Sequence, residues 1–311
     1  MIILFIAYLY CCHLIGDTFK GRKDTSPLLD YYRAKDLNLE DEPFSFRSGR
    51  YLLRGSKYYK KGQTPKALIV FFHGLGSNRR SYLHLISKLV FAGYVVMAYD
   101  GRGVNESEGI AFNGLGQAIK DSRAFINFLA QDKEMNSLPR FAVGHSWGGY
   151  CALSCLEPSL GFSKVVSFSG FLKPSKEILS VSPDKRVEKA EPLVSLYLLL
   201  HFGRGSNFDV TPLIRTTKIP TLYIQGDKDP AVPYRSNGKV IESINNPFVS
   251  TFIVPNRKHQ IYLTPKAESL VDELFWTSRD IKASQNTNLD LQSLCEEDPI
   301  ILKRLIDFLN K

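Results

Sequence analysis

The sequence lacks the features that define several large classes of protein. Its five cysteines are odd in number and follow no metal-ligand spacing, which argues against a disulfide framework and a zinc module. It has no long block of one charge, since 40 basic and 31 acidic residues leave a net charge of +9 in scattered pairs. No nucleic-acid partner, metal or cofactor is therefore expected. With 44% apolar and 23% charged residues, the composition excludes a disordered chain, a polytopic membrane protein and a collagen-like repeat, and no internal repeat or low-complexity tract is visible.

The chain begins with an apolar segment, residues 1–16, that is shorter than the roughly 20 residues needed to span a bilayer. No basic residue precedes it and no small-residue cleavage site follows, whereas Lys20, Arg22 and Lys23 come directly after. We expect a marginal membrane anchor, followed by a linker over residues 17–43, with the rest of the chain on the cytoplasmic side. The alternative is an apolar arm packed on a cytoplasmic domain.

The remaining sequence, residues 44–311, alternates between short apolar runs and segments with helical spacing of apolar residues. This alternation predicts an α/β domain whose parallel sheet carries helices on both faces. Two short strands with a turn between them precede it, at residues 44–46 and 51–53. The apolar runs that predict the later strands are residues 67–72, 94–99, 141–143, 164–168, 221–224 and 251–254.

One interval, from Gly170 to Ile219, is about twice as long as a single crossover helix needs. It contains an apolar helix that starts near Pro192 and stops at Gly203, and it predicts a small cap over residues 171–215. We expect Leu196 and Leu199 of this helix to contact an apolar part of the substrate. A second long interval, residues 264–299, precedes the last helix and receives no role from the sequence.

The most informative motif is G-H-S-W-G at residues 144–148, which follows one predicted strand and precedes a predicted helix. In this context the motif predicts a sharp turn that exposes the hydroxyl of Ser146 near a helix N-terminus, where the helix dipole favours negative charge. Ser146 is therefore the candidate nucleophile.

A serine hydroxyl needs a base to accept its proton and an acid to orient that base. His259 follows the strand at residues 251–254, at the carboxyl edge of the sheet, and is the candidate base. Asp227 and Asp229 both follow the strand at residues 221–224. We favour Asp229 as the acid and expect Asp227 to cap the turn. The chain order of nucleophile, acid and base fits the strand-turn-helix nucleophile motif.

An oxyanion hole is expected after the first strong strand, where His73 and Gly74 begin a loop. The backbone N–H groups of Leu75 and Trp147 are the candidate donors, and each such donor stabilises the transition state by about 3 kcal/mol. His73 is expected to brace this loop rather than to act as a base.

On these residues the chain resembles the α/β-hydrolase superfamily, from about Tyr51 to Phe308, and more narrowly bacterial esterase- or lipase-like serine hydrolases. The resemblance also includes Y-D-G-R-G at residues 99–103 and the spacing of Gly226, Asp229 and Val232. It implies an eight-stranded, mostly parallel sheet and hydrolysis through a seryl-acyl intermediate. It also implies structural roles for Asp100 and Arg102.

The sequence thus predicts a metal-independent hydrolase that cleaves a small-molecule carboxylic ester with an apolar acyl group. Thioesters and amides use the same machinery, so a thioesterase or a small peptidase is the nearest alternative. A non-catalytic binding protein on the same fold is the alternative from another class. Asp at the nucleophile position marks epoxide hydrolases and dehalogenases, which Ser146 disfavours.

Overall fold

The computed structural model of the chain describes residues 21–23, 32–182, 184–277 and 291–311. The predicted anchor at residues 1–16 and much of the predicted linker lie outside these ranges. Within them, no helix combines the length and the apolar character that crossing a membrane requires.

A single mixed sheet organises the described chain. Its spatial order is β1-β2-β4-β3-β5-β6-β7-β8, with β1, β2 and β4 paired antiparallel and all the other neighbours parallel. This confirms the predicted eight-stranded, mostly parallel sheet. The strands are β1 Glu40–Ser48, β2 Tyr51–Tyr59, β3 Leu68–Phe72, β4 Val95–Tyr99, β5 Arg140–His145, β6 Lys164–Phe168, β7 Thr221–Gly226 and β8 Val249–Val254.

The first two strands are longer than the three-residue runs that predicted them. They pair along their full length, from Glu40 opposite Tyr59 to Ser48 opposite Tyr51, around a tight turn. The polar start of β1 lacks the apolar residues that would predict a strand. It is nevertheless a strand, because it pairs with β2 at the edge of the sheet. Pro43 is tolerated because an edge strand leaves one row of N–H groups without a partner strand.

Helices cover both faces of the sheet, as predicted. Ile69 and Phe71 of β3 point to the face covered by α1 and α11, whereas Val70 and Phe72 point to the face covered by α2 and α4. The helices are α1 Leu83–Phe91, α2 Gln117–Leu129, α3 Lys133–Ser137, α4 Trp147–Ser154, α5 Pro174–Ser180, α6 Glu191–Phe202, α7 Thr211–Thr216, α8 Gly238–Glu242, α9 Pro265–Thr277, α10 Leu291–Leu294 and α11 Pro299–Asn310. Single 3-10 turns occur at Ala34–Leu37, Arg79–Tyr82, Pro158–Leu160, Lys185–Ala190 and Tyr234–Ser236.

Three helices, α5 to α7, occupy the predicted cap segment between β6 and β7. The carboxylate of Glu191, at the start of α6, accepts hydrogen bonds from Lys173 (2.8 Å), Ser175 (2.6 Å) and Ser195 (2.8 Å). Because Lys173 and Ser175 lie at the start of α5, this carboxylate joins the two helices. The Glu191 carboxylate is partly exposed. Burial alone would raise its pKa, but the three donors together lower the pKa to about 2.

The described residues between Thr264 and Pro299 pack beside the loop that carries His259. They contribute α9 and α10 and a small cluster of buried side chains that includes Val271 and Leu294. Arg257 anchors the loop to this segment through Glu268 (3.1 Å) and Asp298 (2.8 Å). The described part of this segment, to which the sequence assigned no role, therefore helps to hold the loop that carries His259 in place.

Candidate active site

The backbone at Ser146 adopts a conformation that residues other than glycine rarely enter, with φ 58° and ψ −117°. The Ser146 N–H donates to the carbonyl oxygen of Phe168 at 2.8 Å, which ties the turn to β6. A Cβ atom at Gly144 would lie 2.1 Å from the Gly148 carbonyl oxygen, and one at Gly148 would lie 2.0 Å from that of Phe72. Both glycines are therefore required for this close approach, and the turn stores backbone strain at Ser146.

The predicted base and acid lie in direct contact. His259 Nδ1 is 2.8 Å from Oδ2 and 3.0 Å from Oδ1 of Asp229. Oδ1 also accepts the backbone N–H groups of Ala231 (2.9 Å) and Val232 (2.8 Å), which fixes the carboxylate. Asp227 instead accepts the N–H of Asn256 at 2.6 Å and braces the turn after β8. The geometry therefore favours Asp229 over Asp227 as the orienting acid.

The contact between these two side chains shifts the pKa of each. Burial alone would raise the pKa of the Asp229 carboxyl, but the charge and hydrogen bond of His259 lower it below its ordinary value. Burial alone would lower the pKa of His259, but the Asp229 carboxylate raises it above 6.5. The carboxylate thus favours a proton on His259, which is what the imidazole must hold after it deprotonates a nucleophile.

Ser146, His259, Leu75 and Trp147 all line one cavity of about 370 Å³. Most of its wall is apolar and includes Phe171 and Val232. Other apolar lining residues are Leu85, Leu115, Ile178, Val181, Leu263, Val271 and Leu294. The cavity volume is within the range typical of small-ligand sites. The described residues contain no group of three histidine, cysteine or acidic side chains that suits a metal ion.

Leu196 and Leu199 do not line this cavity, which corrects the expectation that they contact the substrate. They are 45% and 48% exposed, whereas Val194, Tyr197 and Leu198 of the same helix are buried against the core. Because α6 is apolar on nearly all sides, its composition does not reveal which side docks. The cap contributes instead through α5 and the residues next to it, namely Phe171, Glu177, Ile178 and Val181.

A chain of hydrogen bonds in the wall of the cavity links the Gly74 loop to the His259 loop. The Gly74 N–H donates to the Tyr82 hydroxyl (3.1 Å), which lies 2.9 Å from His145 Nδ1. His145 Nε2 lies 2.9 Å from the His259 carbonyl oxygen, which only accepts. His145 is therefore protonated at Nε2 and accepts the Tyr82 hydroxyl proton at Nδ1. Burial, helped by the nearby His259, lowers the His145 pKa to about 3 and keeps the ring neutral.

His73 has the bracing role expected of it. Its Nδ1 lies 2.8 Å from the Gly74 carbonyl oxygen, and its Nε2 accepts the N–H of Gly101 at 3.0 Å. Asp100 directly precedes Gly101 in the chain, and its carboxylate binds the guanidinium and the backbone N–H of Arg79. These contacts are consistent with the structural role that the resemblance implies for Asp100.

The sequence did not predict two parts of the cavity wall. The first comprises Tyr262 and Leu263, which follow His259, together with Cys295 and Glu297, which precede the last helix; all four line the cavity. Glu297 contacts His84 of α1 there. The second is Glu177, an acidic side chain of the cap that is only 8% exposed. A short helix that contains a single acid next to a lysine gives no indication that the acid faces inward.

Comparison with known proteins agrees with this fold. Residues 63–199 match the family described as serine aminopeptidase, S33. The monoacylglycerol lipase of Mycolicibacterium smegmatis is 23% identical over 68% of this chain and 87% of that protein. The human monoglyceride lipase is 34% identical over 34% of each chain. An esterase structure from Pyrococcus furiosus superposes with a TM-score of 0.58 at 19% identity, over 90% of this chain and 93% of that one.

The strand order, the turn at Ser146 and the structural neighbours define the α/β-hydrolase fold. The chain therefore has the fold that its resemblance implied, and part of its sequence is similar to hydrolases of that fold.

Proposed function

We propose that the protein hydrolyses small, uncharged carboxylic esters with an apolar acyl group, with Ser146 as nucleophile and His259 and Asp229 as base and orienting acid. One observation carries the proposal: the strained turn at Ser146 and the His259–Asp229 pair open into the same apolar cavity. The relatives named monoacylglycerol and monoglyceride lipase support an ester as the substrate.

In this proposal the Ser146 hydroxyl attacks the ester carbonyl carbon while His259 Nε2 accepts its proton. The carbonyl oxygen becomes negatively charged and is held by the N–H groups of Leu75 and Trp147. The protonated imidazole then gives its proton to the leaving alcohol, which yields an ester of Ser146. Water, deprotonated by the same imidazole, attacks the acyl carbon; the bond to Ser146 Oγ then breaks, the imidazole returns its proton to that oxygen, and the carboxylic acid is released.

The charges around the cavity favour an uncharged substrate. No lysine or arginine of the described residues lines it, although the whole chain carries a net charge of +9. The acidic lining residues are Glu177, Asp272 and Glu297. A polyanionic thioester such as a nucleotide-linked one would therefore meet no compensating cation in this wall, which favours esters over that alternative.

Hydrolysis of a series of p-nitrophenyl esters, from acetate to palmitate, tests the proposal. Ser146→Ala is expected to lower kcat by about 10⁴- to 10⁶-fold. Ser159→Ala is the matched control, because Ser159 is exposed and lies outside the cavity, and its activity should equal that of the parent protein. Ester turnover that survives in Ser146→Ala, or its absence from the folded parent protein, would contradict the proposal.

We further propose that residues 1–16 bring the protein to a membrane surface, a proposal supported by their apolar composition and by the basic residues that follow. Fractionation of cells that express the full chain and a chain without residues 1–16 tests it. The deletion should move the protein from the membrane fraction to the soluble fraction, and equal distribution of the two proteins would refute the proposal.

A further inference from the structure

Glu177 combines deep burial with a position on the wall of the proposed active site. It lies on α5, is 8% exposed and lines the cavity that also contains Ser146 and His259. It is not part of the proposed machinery, because the acid that orients His259 is Asp229. A buried acid that forms no ion pair carries a large desolvation cost, so its bonding partners are informative.

Within the described residues, the hydrogen bonds of the Glu177 carboxyl group are all on one oxygen. Oε2 accepts from Asn237 Nδ2 (3.1 Å) and lies 3.4 Å from Ser180 Oγ. The orientation of the Asn237 amide is fixed, because its Oδ1 accepts the N–H of Leu172 at 3.0 Å. Oε1 has no hydrogen-bond partner in the described part of the chain, but it is not fully enclosed by protein atoms. It therefore opens toward the cavity.

The surroundings of Glu177 also favour its protonated, uncharged form. Burial raises its pKa first, and the Asp229 carboxylate raises it further, while the Asn237 hydrogen bond opposes them; the result is a pKa of about 8. Because Oε2 already accepts the hydrogen bond of Asn237, we place the acidic proton on Oε1. The cavity wall thus presents an uncharged O–H that both donates and accepts a hydrogen bond.

We propose that Glu177 binds an uncharged hydroxyl group of the substrate, in addition to the ester that Ser146 attacks. A hydroxyl matches it because it donates and accepts through one atom, as Oε1 does. An anion is disfavoured because no lysine or arginine of the described ranges lines the cavity. This inference rests on the proposed ester hydrolysis and restricts it to esters with a hydroxyl within reach of the cap.

Two pairs of esters test the inference and show which side of the ester carries the hydroxyl. One pair is 2-hydroxyethyl butyrate and propyl butyrate, and the other is ethyl 3-hydroxybutyrate and ethyl butyrate. In at least one of the two pairs, the kcat/KM of the parent protein should be about tenfold higher for the hydroxylated ester than for the plain ester, as expected for a buried hydrogen bond. Glu177→Leu should abolish this preference and leave the hydrolysis of the plain ester largely intact.

Glu177→Gln should keep the preference, because its amide oxygen can accept from Asn237 while its NH2 group takes the position of Oε1 and donates to the substrate hydroxyl. Glu188→Leu is the control, since Glu188 is an exposed acid of the same cap and does not line the cavity. It should leave the preference unchanged. If Glu177→Leu fails to fold, the parent protein still decides, because the absence of a hydroxyl preference in both pairs overturns the inference.

Three other results overturn it as well. They are a preference that persists in Glu177→Leu, an equal loss on both members of a pair, and a stronger preference for 2-aminoethyl butyrate, which would indicate an ionised Glu177. Failure of the proposed function is distinguishable from these results, because the parent protein would then hydrolyse none of the esters.

Discussion

Replacing the buried acid Glu177 with glutamine is expected to stabilise the protein in a pH-dependent way. A carboxyl with a pKa of about 8 in the folded chain and 4.5 in the unfolded chain binds its proton more tightly when folded. The parent protein therefore loses stability as pH rises from 4.5 toward about 8. Each pH unit in this window costs about 1.4 kcal/mol, so the cost rises by about 3 kcal/mol between about pH 5 and pH 7.5.

Glu177→Gln removes this titration but keeps a polar group that accepts from Asn237. The free energy of unfolding, measured in urea, should rise relative to the parent protein by about 3 kcal/mol more at about pH 7.5 than at about pH 5. Glu188→Gln, at an exposed acid of the cap, should show a difference that hardly changes with pH. A Glu177→Gln effect of equal size at both pH values would refute the conclusion that this carboxyl is buried with its proton.

Three further predictions concern the site. Asp229→Asn should lower kcat by about 10³- to 10⁴-fold, and because it lowers the His259 pKa it should move the acid-side loss of kcat/KM to lower pH. Asp227→Asn should have a mild effect. Equal losses in the pH–rate profiles of the two variants would exclude Asp229 as the orienting acid. Tyr82→Phe should lower kcat about tenfold and reduce Tm, because it leaves the Gly74 N–H and His145 Nδ1 without a partner; parent-like kinetics would mean that the hydrogen-bond chain does not position the two loops. Ile178→Ser should change the preferred acyl length and Leu199→Ser should not, as measured with p-nitrophenyl esters; the reverse would return Leu199 to the binding site.

The nucleophile turn was predictable from sequence because its constraints are local. Gly144 and Gly148 are needed within a few residues of Ser146, and the flanking strand and helix have clear periodic signals. The sequence could indicate a candidate base and a candidate acid because parallel strands end at one edge of the sheet. The preference for Asp229 over Asp227 rested on weaker grounds. The structure separates them by their hydrogen bonds, one to an imidazole and one to a turn.

The walls of the cavity were not predictable in the same way, because they depend on which side of each element docks. The apolar α6 gave no basis for choosing a side, and the choice of Leu196 and Leu199 was wrong for that reason. Glu177 had no motif around it, and its environment arises from Asn237, distant in sequence. The lining role of Leu294 likewise depends on how the 264–299 segment packs beside His259.

The central claim, that Ser146 is an activated nucleophile, is tested most directly by intact-mass analysis after incubation with a fluorophosphonate. The account predicts one adduct on the folded parent protein, located on the peptide that contains Ser146, and no adduct on Ser146→Ala or on denatured protein. A folded parent protein without an adduct, or an adduct that persists in Ser146→Ala, would contradict it.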